Sequence, residues 1–418
     1  MSHRPEASGQ PGAAPLAGMT RPLSVLVQGF GARGPLARLI EQADIPAQVA
    51  AVVDPDPQAL ERARRAHPAA ARFRALDQAL ASGLHFDAAF ILTPDGSHER
   101  DATDLLGTGI PVYLEKPMAL NARSADAIVE AAGRAGVPAF VGHNFRRSAV
   151  IRTLKSVIDQ GLIGEVKTIW VRHFVGHGGD YYFRDWHADR SLGGGLLLQK
   201  GSHDIDAIHY LAGAFATRVS AMGSLMVYGD LPRHAAPQTG IMPDWFSLDH
   251  WPPDAQTGLN PVVDVEDVSL VNLELANGVL ASYSQCHFSP DYWRNYTVIG
   301  TRGRVENFGD TGGGVVRGWN RRREWDPVGD FEIPLAGAAS GHNEADQATV
   351  EEFLRLVADG GSTREDLLAA RQAVAACALA TETARRGSVP LDVPLPGAVF
   401  APPSPAPGGA SGGRKEEP

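Results

Sequence analysis

The sequence predicts an α/β fold in which a doubly wound parallel sheet precedes an α+β domain with a large open, mostly antiparallel sheet. Short apolar runs alternate with helical patterns over roughly the first third of the chain, as in βαβ units. A glycine-rich turn directly follows the first of these runs. The later apolar runs are longer, and Asn277-Gly278 between two of them predicts a type I′ hairpin.

In the first part of the chain, each predicted strand is a short apolar run, as expected of a buried parallel strand. The predicted strands are Leu23–Val27, Gln48–Val53, Phe86–Leu92, Val112–Leu114 and Ala139–Val141. The predicted helices are Ala32–Gln42, Ala59–His67 and Ser124–Ala135. This alternation predicts a cofactor-binding domain over residues 22–145.

The second part, residues 146–396, is predicted to be the substrate-binding and oligomerisation domain. Its predicted strands are Glu165–Val175, Val219–Tyr228, Val268–Leu275, Val279–Phe288 and Tyr296–Gly300. Its predicted helices are Ile151–Gln160, Asn343–Ala358 and Arg364–Arg386. Residues 230–262 lack periodicity, so we interpret them as a surface insertion that could cover the site. Residues 1–21 and 397–418 are rich in Pro, Gly and Ala, which predicts disordered tails.

Composition excludes several classes of function. The 418-residue chain has a formal net charge of −10, which argues against a nucleic-acid partner. No apolar stretch is long enough to cross a bilayer, and the N-terminus lacks the apolar core of a secretory signal. Cys286 and Cys377 fit neither a disulfide framework nor a zinc spacing, so we expect a cytoplasmic protein.

The glycine-rich turn is a G-x-G-x-x-G over Gly29–Gly34, between a predicted strand and a predicted helix. This context is typical of the Rossmann dinucleotide fold, in which the glycines allow a tight turn and close approach of the pyrophosphate. Asp54 ends the second strand about 20 residues later, where an acidic side chain accepts the ribose hydroxyls. A carboxylate there repels a 2′-phosphate, so the sequence favours NAD over NADP.

Several further motifs follow in order. Glu115-Lys116-Pro117 comes after a short strand, and Thr93-Pro94 with His98 precedes it. Gly142–Arg147 leaves the fifth strand, and the run Gly193–Gly195 is followed by Gly201, His203 and Asp206. Taken together, the chain from Leu23 to Pro394 resembles the glucose–fructose oxidoreductase / inositol dehydrogenase / MocA family.

The resemblance implies that Lys116 and His203 are the catalytic residues and that the Lys116–Pro117 bond is often cis. Lys116 follows a parallel strand at its carboxyl end, where α/β folds place their sites. Histidine has a pKa suited to accepting the proton of an alcohol. The predicted cofactor-binding residues are Gly29, Phe30, Gly31, Ala32, Arg33, Gly34, Asp54, Thr93, Pro94, His98, Glu115, Lys116 and Asn144. The predicted substrate-binding residues are Lys116, Arg147, Trp186, His187, Gln199, Lys200, His203 and Tyr292.

The chain departs from the family at position 199, where Gln199 replaces the Asp expected four residues before His203. An amide cannot stabilise a protonated histidine as a carboxylate would, and positions 199 and 203 share a helical face. Three outcomes stay open. Lys116 and His203 could suffice, Lys200 could bind an acidic group of the substrate, or the reaction could differ from simple dehydrogenation.

Aromatic residues interleave with polar ones over Tyr181–His187, a pattern that suits sugar binding or packing on the sheet. Residues Tyr292–Asn295 are weaker candidates for the same pocket. The histidines at 173, 177, 187, 203 and 209 do not have the spacing of metal ligands, and no cysteine joins them, so we expect no metal.

These observations predict an NAD-dependent oxidoreductase acting on a secondary alcohol or ketone of a polyol, sugar or sugar derivative. Two alternatives stay open: a glycoside hydrolase that retains NAD and works by oxidation and elimination, or a non-catalytic NAD-binding protein. The resemblance also implies a homodimer or homotetramer formed through the open face of the second sheet.

Overall fold

The structure is a computed structural model and describes residues 21–238, 240–337, 341–361 and 363–395. The predicted N-terminal tail, apart from Arg21, and the predicted C-terminal tail lie outside the described residues.

The first sheet has six parallel strands. They are β1 Leu23–Gln28, β2 Ala47–Val53, β3 Ala71–Phe73, β4 Ala88–Ile91, β5 Val112–Leu114 and β6 Ala139–Val141. Their order in the sheet is β3-β2-β1-β4-β5-β6, which is the doubly wound order of dinucleotide-binding folds. The order reverses between β1 and β4, so the carboxyl ends of these two strands frame a crevice for a ligand.

Five α-helices connect these strands. They are α1 Ala37–Gln42, α2 Pro57–Ala66, α3 Leu76–Leu80, α4 His98–Gly107 and α5 Ala122–Ala135. The helix predicted to begin at Ala32 begins later, as a 3₁₀ turn over Gly34–Leu36. The edge strand β3 and helix α4 were missed by the sequence analysis. Strand β3 is only three residues long, and helix α4 begins with the polar run His98–Asp101, so neither has a strong apolar pattern.

The second sheet has nine strands in the order β14-β13-β12-β11-β7-β10-β9-β8-β15. They are β7 Val166–Val175, β8 Ala216–Ser224, β9 Val268–Leu275, β10 Leu280–Cys286, β11 Tyr292–Gly300, β12 Gly303–Phe308, β13 Val315–Trp319, β14 Phe331–Pro334 and β15 Leu391–Asp392. Only the β7–β10 pair is parallel, so the predicted mostly antiparallel sheet is confirmed.

The hairpin between β9 and β10 is confirmed, but its predicted turn type is wrong. Leu275 and Val279 close the loop by a backbone hydrogen bond of 3.0 Å. In this turn only Gly278 has a positive φ, +80°. A type I′ turn needs positive φ at both central residues, whereas a three-residue loop needs it only at its last position.

Seven α-helices belong to the second half of the described chain. They are α6 Ala149–Asp159, α7 Gly178–Tyr182, α8 Arg190–Gly193, α9 Leu196–Ala212, α10 Met242–Trp245, α11 Gly341–Asp359 and α12 Arg364–Arg385. The central helix is α9, and all but two of its seventeen residues are buried. Helix α11 packs its Val350, Phe353 and Leu354 into the core formed by β1 and β4. Helix α11 therefore contributes apolar side chains to the core of the first sheet, although it lies far later in the sequence.

Among the described residues of the segment 230–262, one short α-helix, Met242–Trp245, and one 3₁₀ turn, Pro253–Ala255, lie wholly inside it, and β-structure is limited to an isolated bridge between Arg233 and Leu259. The segment lies against α7. The indole N–H of Trp245 donates to the Asp180 carbonyl at 2.7 Å, and Asn260 N–H donates to the Phe183 carbonyl at 2.8 Å. In the parts of the chain that the structure describes, no helix combines the length and apolar character needed to span a membrane.

Candidate active site

The glycine-rich loop leaves β1 at the point where the first sheet changes direction. Gly29 has φ +89°, and a Cβ there would lie 2.8 Å from the backbone nitrogen of Thr93. Only glycine fits this position, because both the conformation and the space exclude a side chain. A Cβ at Gly31 would meet no protein atom within 4 Å. The loop therefore presents open backbone at its second glycine, as a pyrophosphate would require.

Asp54 lies at the carboxyl end of β2 and points at this loop. Its carboxylate accepts the Phe30 backbone N–H at 2.7 Å and the Asp56 backbone N–H at 2.8 Å. Each carboxylate oxygen keeps a further lone pair, so Asp54 can shape the loop and still accept a ribose hydroxyl.

Arg33, the other polar residue of the loop, joins two carboxylates. Its guanidinium lies 2.6 Å from Glu115 and 3.0 Å from Asp346 on α11. Asp346 also accepts the side-chain amide of Asn144 at 2.6 Å. Three predicted cofactor residues, Arg33, Glu115 and Asn144, thus form one network. Sequence analysis missed Asp346, since it follows Arg33 by 313 positions and belongs to no motif.

His98 is fully buried and bridges two loops of the site. One ring nitrogen lies 2.8 Å from the Pro117 carbonyl and the other 2.9 Å from the Thr93 carbonyl. The prediction that His98 contacts the cofactor is not supported by this geometry, because the ring has no exposed surface. The side chain instead holds the Thr93-Pro94 loop against the loop that carries Lys116.

Lys116 follows β5, and the bond to Pro117 is cis as the resemblance implies. Its ammonium donates to the Gln199 side-chain oxygen at 3.0 Å and to the Gln199 carbonyl at 3.2 Å. Burial, followed by the nearby charge of Lys200, lowers the pKa of Lys116 to about 8. An amine with this pKa can exchange a proton near neutral pH.

Helix α9 brings the other predicted residues to Lys116. Gln199 and His203 lie one helical turn apart and are 8% and 3% exposed. The His203 ring is 6.5 Å, between centroids, from His143, whose Nδ1 lies 3.2 Å from Asp206. His143 stands inside the predicted motif Gly142–Arg147 but was not singled out, because its partner Asp206 is distant in sequence.

Lys200, the neighbour of Gln199, points into a cage of aromatic rings. Its ammonium lies 5.0 Å from the ring centroid of Tyr182 and 5.8 Å from those of Tyr181 and Tyr292. These are cation–π distances. Burial, and then the charge of Arg294, lowers the pKa of Lys200 to about 7. The interleaved segment Tyr181–His187 and Tyr292 therefore meet at one lysine.

The remaining predicted substrate residues lie around this cage or away from it. Trp186 stacks on His187 with ring centroids 3.8 Å apart, and His187 is held by Asp185 at 2.5 Å. Arg147 is instead paired with Glu352 on α11. Arg147 is thus held by a carboxylate of α11, and among the described residues no contact places it at the cage.

His173 is one of several buried histidines, and it belongs to a cluster of charged side chains. His173 lies in β7 at 3.3 Å from Asp204, and burial lowers its pKa to about 3. Asp204 also lies 3.1 Å from Arg294, which is 1% exposed. Over the described residues, no group of three or more His, Cys, Asp or Glu is arranged to hold a metal ion.

Comparison with known proteins gives matches over both halves of the chain. Residues 23–143 match the family model described as an oxidoreductase family with an NAD-binding Rossmann fold. Residues 151–306 match the GFO/IDH/MocA C-terminal domain. The family resemblance inferred from the sequence is therefore confirmed.

Individual relatives are distant. YteT of Bacillus subtilis, named as an oxidoreductase, is 25% identical over 256 residues, which are 53% of this chain and 60% of YteT. Inositol 2-dehydrogenase of Streptomyces avermitilis is 30% identical over 208 residues, 49% of this chain and 57% of that protein. The chain thus matches less than two thirds of either relative. A levoglucosan dehydrogenase solved with NADH and levoglucosan has the same fold, with TM-score 0.72, 20% identity, and coverage of 90% of this chain and all of that one.

Proposed function

The chain belongs to the GFO/IDH/MocA oxidoreductase family, and on that premise we propose that it transfers a hydride between NAD and a secondary alcohol or ketone of a polyol, sugar or sugar derivative. The observation that carries the proposal is the pair formed by Lys116 and Gln199 at 3.0 Å. It places an amine of lowered pKa between the cofactor-binding sheet and helix α9, which carries His203.

The residues at the first sheet fit an NAD molecule. The open backbone at Gly31, the network of Arg33 and Glu115, and the Asp54 carboxylate all lie just beyond the carboxyl ends of β1, β2 and β5. A carboxylate at Asp54 favours a ribose hydroxyl over a 2′-phosphate. When bound, NAD supplies the hydride acceptor or donor of the reaction.

Lys116 is proposed to hold the reacting oxygen of the substrate. Two of its ammonium hydrogens are donated to Gln199, so the third is available for the substrate. A hydrogen bond to that oxygen stabilises the negative charge that develops as the hydride leaves the adjacent carbon.

His203 is proposed to accept the hydroxyl proton during oxidation and to return it during reduction. It lies one turn beyond Gln199 on α9, near His143. The C–H bond is broken with its electron pair, the O–H bond gives its proton to His203, and a carbonyl forms. His143, whose Nδ1 lies 3.2 Å from Asp206, is one neighbour that can influence the charge of His203.

The proposal is tested by mixing the protein with NAD and a panel of cyclitols, sugars and sugar acids and following nicotinamide absorbance. We expect Lys116→Ala to lower kcat at least about 100-fold, the usual contribution of acid–base catalysis, with NADH affinity kept. The matched control Lys167→Ala changes an exposed lysine and is expected to retain activity. No turnover on the whole panel, or an active Lys116→Ala variant, would contradict the proposal.

The same preparations distinguish the two alternative functions. A protein that keeps NAD through purification and cleaves a chromogenic glycoside with no net change in nicotinamide absorbance is the hydrolase. A protein that binds NAD but turns over neither class of substrate is the non-catalytic binder. The presence of both Lys116 and His203 in one buried site favours the dehydrogenase.

We also propose that the protein works in the cytoplasm as a homodimer or homotetramer. The outer face of the second sheet supports the assembly, because it exposes large apolar side chains to solvent. They are Trp170, Met222, Leu270 and Leu280, which are 51%, 63%, 55% and 59% exposed.

A further inference from the structure

The tyrosine cage holds Lys200 without a counter-ion. Within the described part of the chain, no hydrogen bond and no ion pair is made by the Lys200 ammonium, and its polar environment consists of ring faces at 5.0 to 5.8 Å. Lys116, by contrast, is bound to Gln199. A lysine that is only 8% exposed and makes no hydrogen bond or ion pair destabilises the folded protein, because its charge is removed from water without compensation.

The charged groups around the cage are already engaged with one another. Arg294 lies 3.1 Å from Asp204, and Arg33 is bound by Glu115 and Asp346. The groups facing Lys200 are Tyr181 and Tyr182 from α7, Tyr292 and Arg294 from β11, Asp204 from α9, His173 from β7, His287 after β10, Arg33 from the glycine-rich loop, and Lys116 after β5. Among the cations of the described residues around the cage, Lys200 is the one for which neither a hydrogen bond nor an ion pair is found.

We propose that Lys200 binds a carboxylate of the substrate, so that the substrate is a monoanionic polyhydroxy acid such as an aldonate or uronate. The inference rests on the proposed function and names its substrate class. A carboxylate satisfies one ammonium by a charge-assisted hydrogen bond. The rings of Tyr182 and Tyr292 remain available to contact the C–H faces of the substrate.

The affinity for the acid is expected to fall as the pH rises. Burial and Arg294 lower the pKa of Lys200 to about 7, so the free site loses its proton as the pH rises above 7. Carboxylates stay ionised over this range. Binding of the acid therefore needs protonated Lys200, and its affinity falls about tenfold per pH unit above the pKa.

The test uses the protein saturated with NADH and two matched pairs of probes. D-gluconate is compared with D-glucitol, and D-glucuronate with D-glucose, because each acid differs from its partner by a carboxylate in place of a hydroxymethyl group. Calorimetry is expected to show at least one acid binding about tenfold more tightly than its neutral partner, the usual size of a charge-assisted bond. Equal binding within both pairs would overturn the inference.

Two variants distinguish the effect of the Lys200 charge from the effect of its side-chain shape. Lys200→Met is expected to abolish the preference for the acid, whereas Lys200→Arg keeps it and removes the loss of affinity above pH 7, since arginine stays protonated. Retained NADH binding shows that each variant is folded, and Lys167→Met is the control. A preference for acids that survives in Lys200→Met would refute the assignment.

Failure of this inference and failure of the proposed function give different results. If neutral polyols reduce NAD in a Lys116-dependent reaction and acids are not preferred, the carboxylate assignment fails and the oxidoreductase stands. If acids bind through Lys200 but no probe exchanges a hydride with the cofactor, the carboxylate site stands and the proposed reaction fails.

Discussion

The amide of Gln199 sets the charge around Lys116. Its side-chain oxygen accepts a hydrogen bond from the ammonium at 3.0 Å but brings no negative charge to it. The pKa of Lys116 therefore stays lowered, at about 8, under the influence of burial and of Lys200. A carboxylate at the same place would stabilise the protonated amine and raise that pKa.

The variant Gln199→Glu keeps the shape of the side chain and adds this charge. We expect the pKa of Lys116 to rise by about one unit or more, which corresponds to roughly 1.4 kcal/mol in favour of the ammonium. The measurement is the pH dependence of Lys116 labelling by an amine reagent, followed by mass spectrometry. The control Gln160→Glu, on the surface beside Ser156, should leave the midpoint unchanged. An unshifted midpoint in Gln199→Glu would contradict the electrostatic role of the amide.

At the level of single residues, the sequence predicted the identity of the site residues more closely than it predicted their contacts. Gln199 and His203 share a helical face as expected from their spacing. The bond between Lys116 and Gln199 joins residues 83 positions apart, and periodicity carries no information about such a pair. The role of His98 was predicted from its motif, yet its burial between two carbonyls depends on the packing of both loops.

The insertion over residues 230–262 reaches the cage through His177, the residue that precedes α7. Phe246 packs edge-on against His177 at 4.9 Å, and His177 stacks on Tyr292 at 5.9 Å, one of the three rings around Lys200. The insertion thus contacts the cage through one intermediate side chain.

Removing that contact should loosen substrate binding without affecting the cofactor. We expect Phe246→Ala to raise KM for the substrate about three- to tenfold, the effect of roughly 1 kcal/mol of lost packing, with the Kd for NADH unchanged. Leu248→Ala is the matched control, because Leu248 is 77% exposed on the same insertion. Steady-state kinetics and NADH fluorescence titration measure the two quantities. Equal KM values for both variants would rule out the coupling.

Among the elements, strands and helices with a strong local pattern were predicted closely. The strand β9 and the strands β5 and β6 have the predicted limits. The strands β12 to β15 were missed, because each is short and is fixed mainly by pairing with its neighbour in the sheet. The predicted domain limits remain a prediction, and α11 adds its apolar face to the core of the first sheet.

For the whole molecule, the exposed face of the nine-stranded sheet predicts assembly. Met222 and Leu270 are directly opposed on β8 and β9, and both are more than half exposed. Large exposed apolar patches mark interaction surfaces. We expect Leu270→Glu to dissociate the oligomer, because a carboxylate in an apolar interface costs several kcal/mol.

Light scattering of the wild-type protein and of this variant over a range of concentrations measures the effect. Leu84→Glu, which changes an exposed leucine outside the second sheet, is the control and should assemble normally. A wild-type mass equal to one chain at every concentration would exclude the proposed homo-oligomer.

The link between Arg33 and Asp346 joins the glycine-rich loop to a distant part of the sequence. Arg33 belongs to the loop after β1, and its partner on α11 follows 313 residues later. The core beneath that loop also needs Phe353, which packs against Phe90 and Tyr113. A chain cut after β6 would keep the glycines but lack Asp346 and Phe353, so we expect it to hold NAD less firmly than a chain that includes α11.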